Sequence, residues 1–553
     1  MTSPNTEKLH FTTKLAYGAG DFGPAITANI LVFYLLFFFT NVAGLPPGLA
    51  GSILMIGKIS DAINDPIIGV LSDKTRSRWG RRLPWILGGI IPFAFCYTLQ
   101  WTIPQFSDNL TINQWGLFVY YVVIGILFNI AYTTVNLPYT ALTPELTQDY
   151  NERTSLNSFR FSFSIGASIL SLILYILVSF AYPDNPQFRF LILGLSCSFL
   201  AIIALLWCSL RIQEKGKNPI LNLNQKKQLG ILLTGIGVLG IIYVILRIIP
   251  VTSSLVGGNS QFDYISFFSL LSSLLLLGFG YSLLSAKVED HLLIQEVNQS
   301  QINSQQESNI SFTQQLKIVF NNRPFLFVIG IYLCSWLAVQ LTASILVYFV
   351  VSYMKLREDQ SGLVALAVQG TALVMLFFWQ VMCRKFDKKI VYFMGTGVWI
   401  IAQIGLFLLQ PGQVTFMFIL AIMAGFGVSV AYLIPWSMVP DVIELDELET
   451  GQRREGVFYA FMVLLQKFGL ALGLFLVGVV LEAAGFVEQI PGQPLPTQPE
   501  TALFAIRIAV APLPAIILII GLVLAYFYPI TREVHAEIRL KLKERAQQEN
   551  NQE

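Results

Sequence analysis

Charged side chains make up only 12% of this 553-residue sequence, about half the share of an ordinary soluble domain. With a mean hydropathy of +0.63, too little of the chain is polar to clothe a water-soluble globule. The five cysteines (Cys96, Cys197, Cys208, Cys334, Cys383) lie in or at the ends of apolar runs, without CxxC or Cys/His spacing. That arrangement excludes a disulfide frame and a zinc site and leaves them as small buried apolar residues. The net charge of +2 is scattered through short connections rather than gathered on one face, so nucleic acid is excluded as a partner. No nucleophile stands with a base, and there is no metal-ligand spacing or phosphate loop, so an enzyme is excluded and no cofactor is expected. The first fourteen residues are polar and lack a short apolar core with a small-residue cleavage site, so the run from Leu15 reads as an uncleaved first crossing.

What the sequence does have is apolar runs of about 20 residues, the length that crosses a bilayer as a helix. Six fall at 15–43, 49–73, 83–104, 114–142, 158–181 and 189–210, and six more follow Pro324 at 324–353, 360–383, 390–409, 414–439, 456–484 and 501–528. Two further runs, 229–249 and 262–286, are joined by VTSSLVGGNSQ and read as an inserted hairpin. SQINSQQESNISFTQQ then reads as a loosely ordered polar linker. The expected architecture is an all-α polytopic membrane protein with twelve core crossings in two six-helix halves, 15–211 and 323–530. A cytoplasmic N-terminus (1–14), a central region (212–322) carrying the hairpin (229–286), and a cytoplasmic tail (531–553) complete it.

Lys and Arg collect at 74–82, at Arg153 and Arg160, at 211–217, 384–389 and 451–455, and in the tail. The positive-inside rule places these connections, and both termini, in the cytoplasm of a cell (inner or plasma) membrane, with Lys355 and Arg357 the main exception. The halves also echo one another. LPYTALTPE, Leu137 to Glu145, parallels IPWSMVPD, Ile434 to Asp441, each ending a fourth crossing and running into a charged loop. Internal repeats of this kind mark transporters.

ISDAINDPIIG, Ile59 to Gly69, puts two carboxylates in the middle of a crossing. On a helix, Asp61 and Asp65 share a face, with Lys58 one turn before and Asn64 beside them. Each acidic residue at that depth costs about 2.5–3.5 kcal/mol on insertion scales, so both need partners. A structural Lys58–Asp61 ion pair accounts for one carboxylate and leaves the other unexplained. Paired carboxylates with an amide oxygen are hard ligands suited to Na⁺, Li⁺ or H⁺.

KLAYGAGDFG, FFFTNVAGL, SDAINDPIIGVLSDKTRSRWGRRLPW, NLPYTALTPEL, RTSLNSFRF and VPDVIELDELETGQRREGVFYAFMVLLQKFG together resemble the glycoside-pentoside-hexuronide:cation symporters, the melibiose-carrier family of the major facilitator superfamily. The resemblance covers both halves but not the hairpin. It implies a coupling-cation site, Na⁺ included, at Asp61, Asn64 and Asp65, completed by Thr133 from the fourth crossing. It implies that Lys467 neutralises the carboxylates when the cation is absent; Lys58, one turn before Asp61, is a second candidate for that charge coupling. It implies a cytoplasmic gate at Asp73 with Arg76, Arg78, Arg81 and Arg82, and a role for Arg160 at the sugar pocket or that gate.

The pattern fails where melibiose carriers hold sugar with carboxylates, because Ala25 and Asn136 stand at the matching positions. Asp21, one turn before Ala25, could substitute. Tyr132 and Asn136, Trp436, and the i, i+4, i+8 stripe Trp336, Gln340 and Ser344 are further candidates for a solute cavity. Rings flanked by amides suit a sugar-like solute. The expected function is cation-coupled symport of a sugar or glycoside by alternating access, with membrane lipid as surroundings. Two other readings stay open: a carrier of lysolipid or another amphiphile, and a non-transporting sensor with the same fold.

Overall fold

The computed structural model describes residues 9–147, 150–214, 218–248, 263–285, 312–451, 454–489 and 496–552. The hairpin turn and the linker up to residue 311 lie outside the described residues. Every regular element described is helical. In chain order these are α1 (Phe11–Asn41), α2 (Pro47–Lys74), α3 (Leu83–Leu99), α4 (Leu110–Thr140), α5 (Thr143–Leu146), α6 (Tyr150–Ala181) and α7 (Pro186–Arg211). The insertion supplies α8 (Leu223–Ile248) and α9 (Tyr264–Leu284). Then come α10 (Phe312–Asn321), α11 (Arg323–Tyr348), α12 (Glu358–Lys385), α13 (Lys388–Leu408), α14 (Val414–Thr450), α15 (Glu455–Ala483), α16 (Glu500–Val510), α17 (Pro512–Phe527) and α18 (Arg532–Gln552).

Among the described residues twelve helices are long and apolar enough to cross a membrane, α8 and α9 among them and α16–α17 counted as one. The helix α2, with its charged residues, and α3, at 17 residues, stand outside that set. Helix starts are written locally. Asn109, Asn185 and Asn322 each accept a hydrogen bond from the backbone N–H three residues on, and proline follows within two positions in the latter two, where its missing N–H costs nothing.

Three sequence expectations change. The tenth crossing continues as helix through Pro440 to Thr450 instead of ending in a loop, and only the first copy of the echo stops, at Thr140. The end of the polar linker is helical from Phe312, because LKIVF gives it an apolar face whose Val319 is buried. The last crossing is broken at Ala511, where Pro512 and Pro514 start a new helix.

The chain divides into two compact units, Met1–Phe38 with Ser60–Gln306, and Phe39–Ile59 with Glu307–Glu553. The divide is not the sequence midpoint, because residues 39–59 group with the second unit. Inside that unit, Thr40 and Tyr348 share a hydrogen bond of 2.7 Å, and the Gly48 N–H donates to Glu482 at 2.6 Å. A Cβ on Gly51 would lie 3.1 Å from the Phe475 carbonyl, so α2 and α15 meet backbone to backbone.

In the first unit the two insertion helices pack through glycines. A Cβ on Gly280 would lie 2.8 Å from the Gly230 carbonyl and 2.4 Å from Thr234 Oγ1. Lipid offers no hydrophobic drive for helix pairing, so close approach of this kind is what holds the hairpin shut. Arg247 closes its far end on Asp263 at 2.8 Å, and Asp263 also caps α9 through Ser266. Burial alone would raise the Asp263 carboxyl, but the Arg247 and Ser266 hydrogen bonds hold it below its usual value. A carboxylate held low stabilises the fold above its unfolded value, near pH ~4, and loses that contribution as pH falls through the lowered one, so this staple is intact at neutral pH. Replacing Gly280 by Val should force the hairpin apart and destabilise the protein by about 1–3 kcal/mol, read as a lower thermal midpoint of the purified protein; an unchanged midpoint would show that the helices do not meet here.

Candidate functional site

In the first unit, α2 and α4 bring the predicted cation ligands together. Thr133 Oγ1 lies 3.1 Å from Asp61 Oδ1 and 3.0 Å from Asp65 Oδ1. Asp61 and Thr133 are buried and Asp65 is half-buried. Two carboxylates thus flank one hydroxyl. Asn64 donates to Ser60 Oγ at 3.0 Å, which turns its amide nitrogen away from the role of ligand and leaves its oxygen for it. Pro66 has no N–H, so the Ala62 carbonyl loses its helical donor and adds another oxygen to this turn. Lys58 stands one turn before Asp61 on α2, half-buried.

Asp21 on α1 is buried and faces Arg160 on α6, Oδ2 to Nε 3.4 Å. The candidate stand-in for the missing sugar carboxylate is therefore engaged by a cation. Arg160 also lies over the rings of Tyr139 and Phe161. Tyr139 stacks on Tyr17 and donates to its carbonyl at 2.6 Å, while the Tyr17 hydroxyl bonds Thr143. Tyr132, next to Thr133 on α4, packs against Phe93 and Phe128 at ring distances of 6.1 and 6.0 Å. One turn on, the buried Asn136 Oδ1 has no hydrogen-bond partner in the protein.

The candidates of the second unit form an aromatic cluster. Trp336 packs with Tyr332 and Tyr432 at ring distances of 6.0 and 5.8 Å, and Trp436 with Tyr332 and Tyr459 at 5.8 and 5.9 Å. Gln340 is only 6% exposed, yet its Oε1 has no partner, and neither has Trp336 Nε1. Ser344 does not share this character, since its hydroxyl bonds Leu341 O on its own helix. Tyr332 and Tyr432 were missed from sequence although each stands one helical turn before a named tryptophan. Lys467 is half-buried on α15 of this unit.

At the gate loop, Arg82 pairs with Asp73 and with Glu145, 3.2 Å, and donates to Ser72 at 2.8 Å. Arg81 reaches Glu145 at 2.8 Å. Arg78 instead lies over the Trp79 ring. The echo carries a matching ion pair: Asp441 binds Lys388 at the start of α13, 2.6 Å, as Glu145 binds the arginines at the start of α3. His535 on α18 adds to that second cluster, 2.9 Å from Glu444 and 3.4 Å from Asp441. Neither Lys388 nor His535 was singled out from sequence, because nothing local marks a partner that distant.

Arg160→Met leaves Asp21 buried without its cation and should cost about 3–5 kcal/mol of stability. Adding Asp21→Asn should restore most of it in the same unfolding measurement; a double variant as unstable as the single would mean the two residues do not form a pair.

Known proteins resemble this chain over nearly its full length. The family described as MFS/sugar transport protein matches residues 16–232 and 220–532. An uncharacterized symporter of Synechocystis sp. is 66% identical over 549 residues, 99% of each chain. The sodium-dependent lysophosphatidylcholine symporter 1 of Gallus gallus is 26% identical over 98% of this chain and 91% of its own. Among solved structures, a D-xylose-proton symporter superposes with a TM-score of 0.55 at 13% identity, covering 94% of this chain and 97% of that one, which is a likeness of fold.

Proposed function

The chain belongs to the MFS/sugar transport protein family and is a multi-pass membrane symporter rather than an enzyme, and on that footing we propose that it couples entry of a small solute to binding of Na⁺, Li⁺ or H⁺ at Asp61 and Asp65. The observation that carries this reading is the Thr133 hydroxyl set between those two carboxylates, at a depth where net charge is costly. Asn64 supplies an amide oxygen. Lys58 and Lys467 keep the empty carrier from burying net negative charge. Cation binding lowers the charge of the cavity, favours the solute beside it, and lets the doubly loaded carrier pass between outward and inward states. Reciprocity requires the solute to tighten cation binding by the same factor. Both termini lie in the cytoplasm of a cell (inner or plasma) membrane, as the distribution of Lys and Arg requires.

The solute on this reading is sugar-like. Asn136 in the first unit, and Trp336 and Gln340 in the second, hold buried polar atoms without protein partners, and a hydroxylated ring can accept from an indole N–H and donate to amide oxygens. Asp21 and Arg160 belong to the first unit with Asn136. A second reading, transport of a lysolipid, draws on the whole-length similarity to the lysophosphatidylcholine symporter and on Ala25 in place of a sugar carboxylate.

The test is thermal stability of the purified protein in Na⁺, Li⁺ or K⁺ across pH. Na⁺ or Li⁺ should raise the midpoint relative to K⁺, Asp61→Asn should abolish the response, and Thr133→Val should weaken cation affinity about tenfold, the effect of ~1.4 kcal/mol for one lost hydrogen bond to a charged group. If Asp61→Asn leaves the response intact, the site assignment is wrong. No alkali-ion response, with proton uptake on solute addition, would assign H⁺. In the favoured salt, stabilisation by glycosides but not lysophosphatidylcholine would decide for the sugar reading, and the reverse for the lipid one.

A further inference from the structure

We propose that Glu214 is the positioning residue of the gate loop, and this rests on reading the Asp73–Arg81–Arg82–Glu145 cluster as a gate. Glu214 follows α7, in the segment that leads into the inserted hairpin, and is only 4% exposed. Its carboxylate accepts from three consecutive backbone N–H groups: Arg81 at 2.8 Å, Arg82 at 2.7 Å and Leu83 at 2.9 Å. These are the opening donors of α3, which has no side-chain cap of its own at Arg82. A carboxylate there satisfies donors that the helix cannot and sits at the positive end of its dipole.

The loop is shaped to admit this carboxylate. Gly80 has φ +115°, and a Cβ at that position would lie 2.1 Å from Glu214 Cδ, so any side chain would expel it. A second tie follows directly, the Asn218 N–H donating to the Arg78 carbonyl at 2.9 Å. Residues 78–83 are thereby held by their backbone, which aims the Arg81 and Arg82 side chains at Glu145 and Asp73. Glu214 acts on the main chain of the arginines, and the gate carboxylates act on their guanidinium groups.

This also gives the hairpin a mechanical place. The segment that enters α8 is tied to the gate loop through Glu214 and Asn218. The end of α9 is tied to the start of α1 and the end of α7, where Ser282 Oγ donates to Thr12 O at 3.2 Å and Arg211 Nε donates to Ser282 O at 3.0 Å. The insertion and the segment leading into it thus bond to three helix ends of the first unit, those of α1, α3 and α7.

The experiment is a double-mutant cycle on the thermal midpoint of the full-length protein, with Glu214→Gln, Glu145→Gln and the pair. A positioning role predicts that the double variant loses clearly less than the two singles together, because arginines without Glu145 gain nothing from being aimed. Additive losses would overturn the proposal and leave Glu214 as a local cap. Gln keeps one acceptor oxygen, so folding is retained where Glu214→Ala fails. Backbone hydrogen exchange supplies the second readout: in Glu214→Gln, residues 78–83 should exchange about tenfold faster or more, the effect of freeing buried donors. Unchanged exchange there would equally overturn it. Neither readout uses cation or solute, so a protein without any cation response that keeps the coupling would defeat the symport reading alone.

Discussion

A carboxylate inside a bilayer must be neutralised and hydrogen-bonded, and the arrangement of both units follows from that constraint. Water can solvate a stray charge on a soluble surface; hydrocarbon cannot, and the penalty is several kcal/mol per group. Asp21 accordingly faces Arg160. Beyond the apolar run 414–439 the buried acids are paired as well, Asp441 with Lys388 and Asp446 by a two-point bond from Arg454 at 2.5 and 2.9 Å. Asp61 and Asp65 also share a neutral partner, since both carboxylates accept from the one hydroxyl of Thr133 on α4.

The same constraint bears on the neutral polar groups. Ser335 Oγ meets Tyr392 at 2.7 Å, and Thr98 meets Ser198 at 2.8 Å, each closing a contact between helices. Gln340, Trp336 and Asn136 keep buried atoms unmatched. An unmatched amide is expensive in this medium. The function proposed above gives these groups a solute to bind.

How much of this was legible depended on where each partner lay. Asp61 and Asp65 announced themselves because charges in an apolar run are conspicuous, and helical spacing placed them on one face. Thr133 came only through the resemblance, since a threonine in an apolar helix carries no signal of its own. The crossings were readable from apolar length, but their ends were not. Pro440 looked like a stop and is carried inside α14, while Pro512 does break the last crossing. Glu214 stood in RIQEKGK, where the positive residues set topology and the single acid passed unnoticed. Its three donors are more than 130 residues away. The grouping of residues 39–59 with the second unit was equally hidden, because glycine contacts such as Gly51 with Phe475 leave no periodic trace.

The proposed cation site and the proposed gate share a helix, and on that reading the sharing has a mechanical consequence. Asp61, Asp65 and Asp73 are all borne by α2, and the eight residues from Asp65 to Asp73 span about 12 Å of helix axis. Asp65 answers to the charge on the cluster with Thr133, and Asp73 answers to Arg82, itself held through Glu214. A packed helix transmits a rotation or shift as a body rather than absorbing it. Neutralising the carboxylates at one point of α2 therefore changes the electrostatic load on a rod whose end is pinned by arginines. Occupancy and gating then become two readings of one helix's position. No separate relay between them is required, because the backbone hydrogen bonds of α2 already provide it.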